Sequence, residues 1–247
     1  MAGVLSFLLV DLPALIAAVP RPEGVPMPEL PNPVILKLAS IAQPAVLISL
    51  AILVGVFIAG KIGLHSPVAE AIASRSSFWP ALRPQVLPGI IFGFAGGIAI
   101  VLAWVIAKPS LPTEFVTQAQ RFNSFLPPAV RILYGGFTEE LLLRWGVMTL
   151  IVWASWRLIG RGRAQPGFGY FVFGILASSV IFGLGHLPIA SVLAGGLTAS
   201  IVIYVITANS LFGIVAGFLY WRLGLESAIL AHMCAHLVLI AAIQLSL

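Results

Sequence analysis

Charge is what this chain has least of. Asp, Glu, Lys and Arg make up 9% of its 247 residues, against roughly 25% in an ordinary soluble domain, and that scarcity excludes a water-soluble globule. Cysteine is nearly absent: the single Cys234 excludes an internal disulfide and is too little for a zinc knuckle. A basic patch is missing as well. The 13 Lys and Arg exceed the 8 Asp and Glu, but nearly all of them lie between apolar runs, as loop anchors and topology signals do, so no nucleic acid is expected as a partner. Met1 to Val19 lacks the basic start of a secretory signal and carries Asp11 and Pro13, which argues for an interfacial or short first helix over a cleaved peptide. No internal repeat or low-complexity segment is visible.

What is present is hydrocarbon. Hydrophobic residues make up 60% of the chain and the mean hydropathy is +1.09, the composition of a multi-pass integral membrane protein. Its expected surroundings are membrane lipid, in the cell membrane. A spanning helix needs about 20 mostly apolar residues, which places spans near 36–60, 87–107, 137–157, 169–187, 190–207, 209–222 and 226–246. With the N-terminal segment this predicts an all-α bundle of about 7–8 transmembrane helices. Residues 1–125 read as N-terminal membrane helices and connectors, with Pro20 to Pro33 as a helix-breaking connector, and 126–247 as the core that carries the chemistry. Gly135-Gly136 suggests a break, with 117–134 as an amphipathic or loop-like approach and Glu139 and Glu140 in the first turn of the next span. Asn209-Ser210 suggests a turn or helix start. Counting crossings then brings Glu139, His186 and His232 near one membrane face, with Lys108, Arg121, Arg131 and Arg222 on that side and the Arg157–Arg163 loop opposite.

Ionisable groups inside such runs are costly, by about 2.5 kcal/mol or more at the bilayer centre, and are functional candidates by default. Glu139 and Glu140 open Glu-Glu-Leu-Leu-Leu-Arg, His186 ends Phe-Gly-Leu-Gly-His, and His232 and His236 bracket His-Met-Cys-Ala-His. On a helix Glu140 and Arg144 share a face and can pair, with the acid N-terminal to the cation. Glu139 then points about 100° away and stays free. Without a second carboxylate beside it, the pair would read as a buried ion pair alone. His186, taken alone, reads as a helix-end imidazole satisfied by a backbone carbonyl, although Gly183 and Gly185 beside it allow another helix or a substrate backbone to come close. His232 and His236 have the four-residue spacing of metal-binding pairs, but Met233 stands where such helices carry their Glu base. The same pair could donate to an oxyanion. Cys234 reads as a small apolar filler, His65 as a surface residue, and Glu226 as a charge placed at a helix N-terminus.

The three motifs, in this order, resemble those of the CPBP family of intramembrane endopeptidases, which includes the type II CAAX prenyl proteases and bacteriocin-related bacterial members. The family pattern is matched by Glu139-Glu140-x-x-x-Arg144, Phe182-x-x-x-His186 and His232-x-x-x-His236, and the likeness covers about residues 130–245. Many members carry Asn where this chain has His236. The resemblance implies a peptidase acting on membrane-associated protein or peptide substrates, near a terminus or a lipid-proximal segment. It further implies that Glu139 and His186 activate a water, that His232 and His236 steady the oxyanion, and that Glu140, Arg144 and Phe182 support them. No Ser or Thr stands in the three motifs to form an acyl-enzyme. No cofactor is favoured; the alternative is a zinc protease with His186, His232 and His236 as ligands and Glu139 as base. A non-catalytic scaffold or immunity protein is a reading of another class, and a proton-coupled transporter a third, although no repeat halves or paired broken helices support the latter.

Overall fold

The computed structural model describes residues 1–18, 32–160 and 164–245. Among them six helices are long and apolar enough to cross a membrane: Pro33–Ile62, Trp79–Ser110, Pro128–Ile159, Phe168–Ala194, Ala199–Leu223 and Leu225–Gln244. Six rather than seven or eight is a correction, and its cause lies between residues 186 and 224. His186 ends the helix Phe168–Gly185, a short helix Leu187–Ala194 follows, and Gly195 stops it in the left-handed region at φ 66°. A single helix, Ala199–Leu223, then replaces the two spans expected at 190–207 and 209–222. Asn209 and Ser210 sit inside it and make no turn. Asn209 Nδ2 donates to the Val205 carbonyl, and Ser210 Oγ donates to the Ser179 carbonyl of the neighbouring span.

One fewer crossing reverses the direction of the last helix. Leu225–Gln244 enters from the membrane face where the third span ends, and Arg222 lies at that face, not at the other one: Trp221 beside it stacks on Phe171 at the start of the fourth span, with centroids 5.1 Å apart. Of the basic loop that follows the third span, Arg157 belongs to the described residues and Arg161 and Arg163 do not; the connector Pro20 to Pro33 lies outside them up to residue 31.

The third span also begins earlier than expected, at Pro128. Gly135-Gly136 does not break it. The helix runs through both glycines with widened, π-type turns over Arg131–Glu139 and Leu141–Met148, so Glu139 and Glu140 sit deep in the span instead of in its first turn. Widened turns of this kind are rare and concentrate at functional sites. Ahead of the span, Thr113–Phe125 forms an amphipathic helix whose Phe115 packs with Leu111, Ala190, Leu193, Ile201 and Val205 in a small core at that membrane face. The N-terminal residues form short helices, Ala2–Leu5 and Leu12–Ala18, joined by the 3-10 turn Ser6–Leu9, and Phe7 meets Tyr134 of the third span edge-on at 4.7 Å.

The last helix is fixed from two sides. Along its length runs the second span, whose Gly89, Gly93 and Gly97 form a stripe at four-residue spacing. A Cβ at Gly89 would lie 2.8 Å from Leu230 Cβ, and one at Gly97 2.8 Å from Val238 Cβ; only glycine lets these backbones meet so closely, the usual way helices associate where no hydrophobic force between them exists. At its start, Glu226 accepts from Ser66 Oγ, the Val68 amide and Gln85 Nε2, so it anchors two further elements in addition to meeting the helix dipole. His65 is half-buried rather than exposed, and its carbonyl accepts from the Leu225 amide. Cys234 faces Gly93 as filler.

Candidate active site

The site grows from the ion pair. Arg144 Nε donates to Glu140 Oε2 at 3.1 Å, with side-chain exposures of 0% and 1%. A charge so fully withdrawn from solvent is tolerable only when paired and hydrogen-bonded. Arg144 Nη1 donates to Ser178 Oγ at 3.2 Å on the fourth span, and its guanidinium lies 5.9 Å from the Phe182 ring. Glu140 Oε1 meets His232 Nδ1 at 2.7 Å on the last helix. The Glu140–Arg144 pair thereby ties together the third, fourth and sixth spans.

That contact fixes the imidazole. A carboxylate only accepts, so Nδ1 carries the hydrogen and Nε2 is the free nitrogen. Nε2 faces Glu139 Oε2 at 3.9 Å, beyond a direct hydrogen bond but close enough for one water to touch both groups. The widened turn explains how adjacent residues reach one ring: with more residues per turn, neighbouring side chains diverge by less than in an α-helix. Glu139 is not turned away from the site; its side chain is 20% exposed, and it makes no ion pair with Lys or Arg among the described residues.

Aromatic rings complete the wall. His232 lies 4.4 Å from Phe212 and 5.9 Å from Phe182, centroid to centroid, and stacks on His236 at 4.8 Å with 8° between the planes. Both ring nitrogens of His236 are buried without a hydrogen-bond partner among the described residues. Gly135 makes the place for this ring, since a Cβ there would overlap His236 Nε2. His186 Nδ1 donates to the Phe182 carbonyl at 2.9 Å, which leaves its Nε2 as an acceptor. His186 also lines a cavity of about 630 Å³ that lies between the amphipathic helix and the second, fourth, fifth and last spans.

The expected residues Glu139, Glu140, Arg144, Phe182, His232 and His236 thus meet around one buried point, with His186 at the cavity beside it. Ser178 and Phe212 belong to the same arrangement and went unremarked in the sequence, and Gly135, expected there as a break, instead makes room for the His236 ring. Ser178 had a signal: it stands four residues before Phe182 and eight before His186, on one stripe of the fourth span. As a zinc site the geometry fits poorly. No three His, Cys, Asp or Glu side chains among the described residues are grouped to share a metal ion, and two stacked, parallel imidazoles do not aim their lone pairs at a common point.

The six-span helical membrane bundle brings two carboxylates, the buried Glu140 and the partly exposed Glu139, against the imidazole of His232 on its last helix. Residues 121–238 match the family model described as type II CAAX prenyl endopeptidase Rce1-like, and the chain carries a domain of this CPBP-type family of membrane proteases. No curated protein and no solved structure matches the chain.

Proposed function

We propose that the protein hydrolyses peptide bonds of membrane-associated substrates with a water activated by Glu139. The observation that carries this reading is the lock of His232 Nδ1 onto Glu140, which presents Nε2 to Glu139 at 3.9 Å. Glu139 takes the proton as the water oxygen adds to the scissile carbonyl carbon, while Nε2 of His232 accepts the water's other O–H and orients it. The carbonyl oxygen becomes an oxyanion. His236 is suited to receive it, because a neutral imidazole always carries one N–H and both nitrogens of this ring lack a partner among the described residues. Collapse of the intermediate breaks the C–N bond, and Glu139 returns the proton to the leaving amine. No metal is part of this sequence. The test compares membrane-protein fragments, by mass spectrometry, from cells with the wild-type gene and with none; identical fragment patterns would refute the peptidase reading.

Two expected results probe the last helix. His236→Asn should lose far less than the ~10²–10³-fold that removal of an oxyanion donor costs, because the amide can donate from a similar place. Asn is a poor zinc ligand, so activity and bound zinc measured in the same preparation decide: loss of both would sink the metal-free mechanism. Gly135→Ala should lower turnover by roughly ten- to a hundredfold, since the methyl group occupies the place of the His236 ring and a displacement of about 1 Å at a reacting group is enough for such a loss. Turnover within twofold of wild type would show that His236 does not act from this position.

A further inference from the structure

Gln43 lies on the exposed side of the first span, Pro33–Ile62, and its side-chain amide makes no hydrogen bond among the described residues. Its depth makes that costly. Lys37 Nζ donates to the Leu8 carbonyl of the N-terminal helices at 3.0 Å and Lys61 is exposed at the other end of the span; lysines at the ends of a span reach for the headgroups. At 1.5 Å per residue these two lie about 36 Å apart, and Gln43 lies about 9 Å inward of Lys37, within a hydrocarbon layer about 30 Å thick. No water is there to satisfy an amide. Ser49, exposed on the same span, donates its hydroxyl to the Ala45 carbonyl at 2.7 Å; Gln43 has no such return.

The amide belongs to a stripe. Ala39, Gln43, Val46, Leu50, Leu53 and Phe57 follow one another at spacings of four and three, and all six are exposed, which is the seam of a left-handed helix pair. The other side of the span is already filled by the third span: a Cβ at Gly55 would overlap the Trp145 ring, and one at Gly146 would lie 2.6 Å from Ala51 Cβ. Apolar side chains gain little by exchanging lipid for a partner helix, whereas an amide gains a hydrogen bond. Symmetry decides the partner. Copies of one chain insert with the same orientation, so two first spans related by a two-fold axis along the membrane normal run parallel and bring equal residues to equal depth. An amide both donates and accepts, so it complements itself. We propose that the first span is a homodimer interface, closed by reciprocal hydrogen bonds between Gln43 and Gln43 of the partner subunit. One polar residue in such a seam also fixes its register. The interface lies outside residues 121–238, which match the family model, and it is independent of the peptidase reading.

The experiment is cysteine cross-linking in native membranes, on the full chain carrying Cys234→Ala so that each variant has a single thiol. Val46→Cys, Leu50→Cys and Leu53→Cys lie on the seam; Leu38→Cys and Val56→Cys, at 57% and 65% exposure, lie about 100° away around the helix. Oxidation should give a product of twice the chain mass from the seam positions and little from the other two. In phosphatidylcholine liposomes, energy transfer between fluorescently labelled copies should report association, and Gln43→Leu should move its midpoint to a protein-to-lipid ratio about three- to tenfold higher, with Gln43→Asn in between. Cross-linking that is equal on and off the seam overturns the proposal, as does the absence of energy transfer in the wild type or an unchanged midpoint in Gln43→Leu. A cross-linked product of any other mass would give this face to a different membrane protein and overturns it as well. Should Gln43→Leu fail to insert, the contrast between seam and flanking positions with Gln43 intact decides alone.

Discussion

Glu139→Ala is expected to lower peptide cleavage by about 10²–10⁴-fold, the range for removal of a general base, while insertion and expression stay near wild type. The structure separates these two outcomes. His232 keeps its 2.7 Å contact with Glu140 whether or not Glu139 is present, and Glu139 has no Lys or Arg partner among the described residues that its loss would strand. Its side chain retains 20% of its exposure, so truncation leaves neither a sealed void nor a buried unpaired charge, the two usual sources of large destabilisation. The isosteric Glu139→Gln should lose as much activity, since an amide fills the same volume but accepts no proton. Cleavage above a tenth of the wild-type rate in Glu139→Ala would remove Glu139 from the role of base.

The helical bundle and the meeting of the motifs were legible in the sequence because both rest on composition and short-range spacing. Apolar runs of sufficient length can only be spans, and Glu140 with Arg144, or His232 with His236, share a face by helical periodicity alone. The number of spans was harder to read. Between residues 187 and 223 the hydropathy hardly falls, so the break had to be found from turn chemistry, and two signals competed there. Gly195 takes the left-handed conformation that L side chains avoid, whereas Asn209 and Ser210 satisfy their side chains on carbonyls within the bundle and let the helix continue.

That error changed the reason for the convergence without changing its members. The last helix enters from the opposite face and runs inward, and its His232 meets Glu140 at depth, where the third span has already descended through Gly135 and Gly136. Neither the widened turns nor the contribution of Gly135 was visible, because both depend on which helix lies against the third span. Only the tertiary contact distinguishes a glycine that breaks a helix from one that admits an imidazole.

Glu140→Gln and Arg144→Met should each destabilise the detergent-solubilised protein by about 3–5 kcal/mol, because each leaves a lone charge where side-chain exposure is 0–1%. Both losses should exceed that of Glu139→Ala. The double variant should regain part of the stability, since it removes both charges together and the site can close over neutral groups. Activity should not return with it. With Glu140 gone, His232 Nδ1 loses the carboxylate that orients the ring toward Glu139, and Arg144 no longer braces the third span on Ser178. Recovery of the thermal midpoint without recovery of cleavage is therefore the expected signature of a pair that holds the bundle together through one partner and positions the imidazole through the other. Single variants as stable as wild type would show that the buried pair contributes nothing to the fold, and a double variant that regains both stability and cleavage would show that His232 is positioned by something other than Glu140.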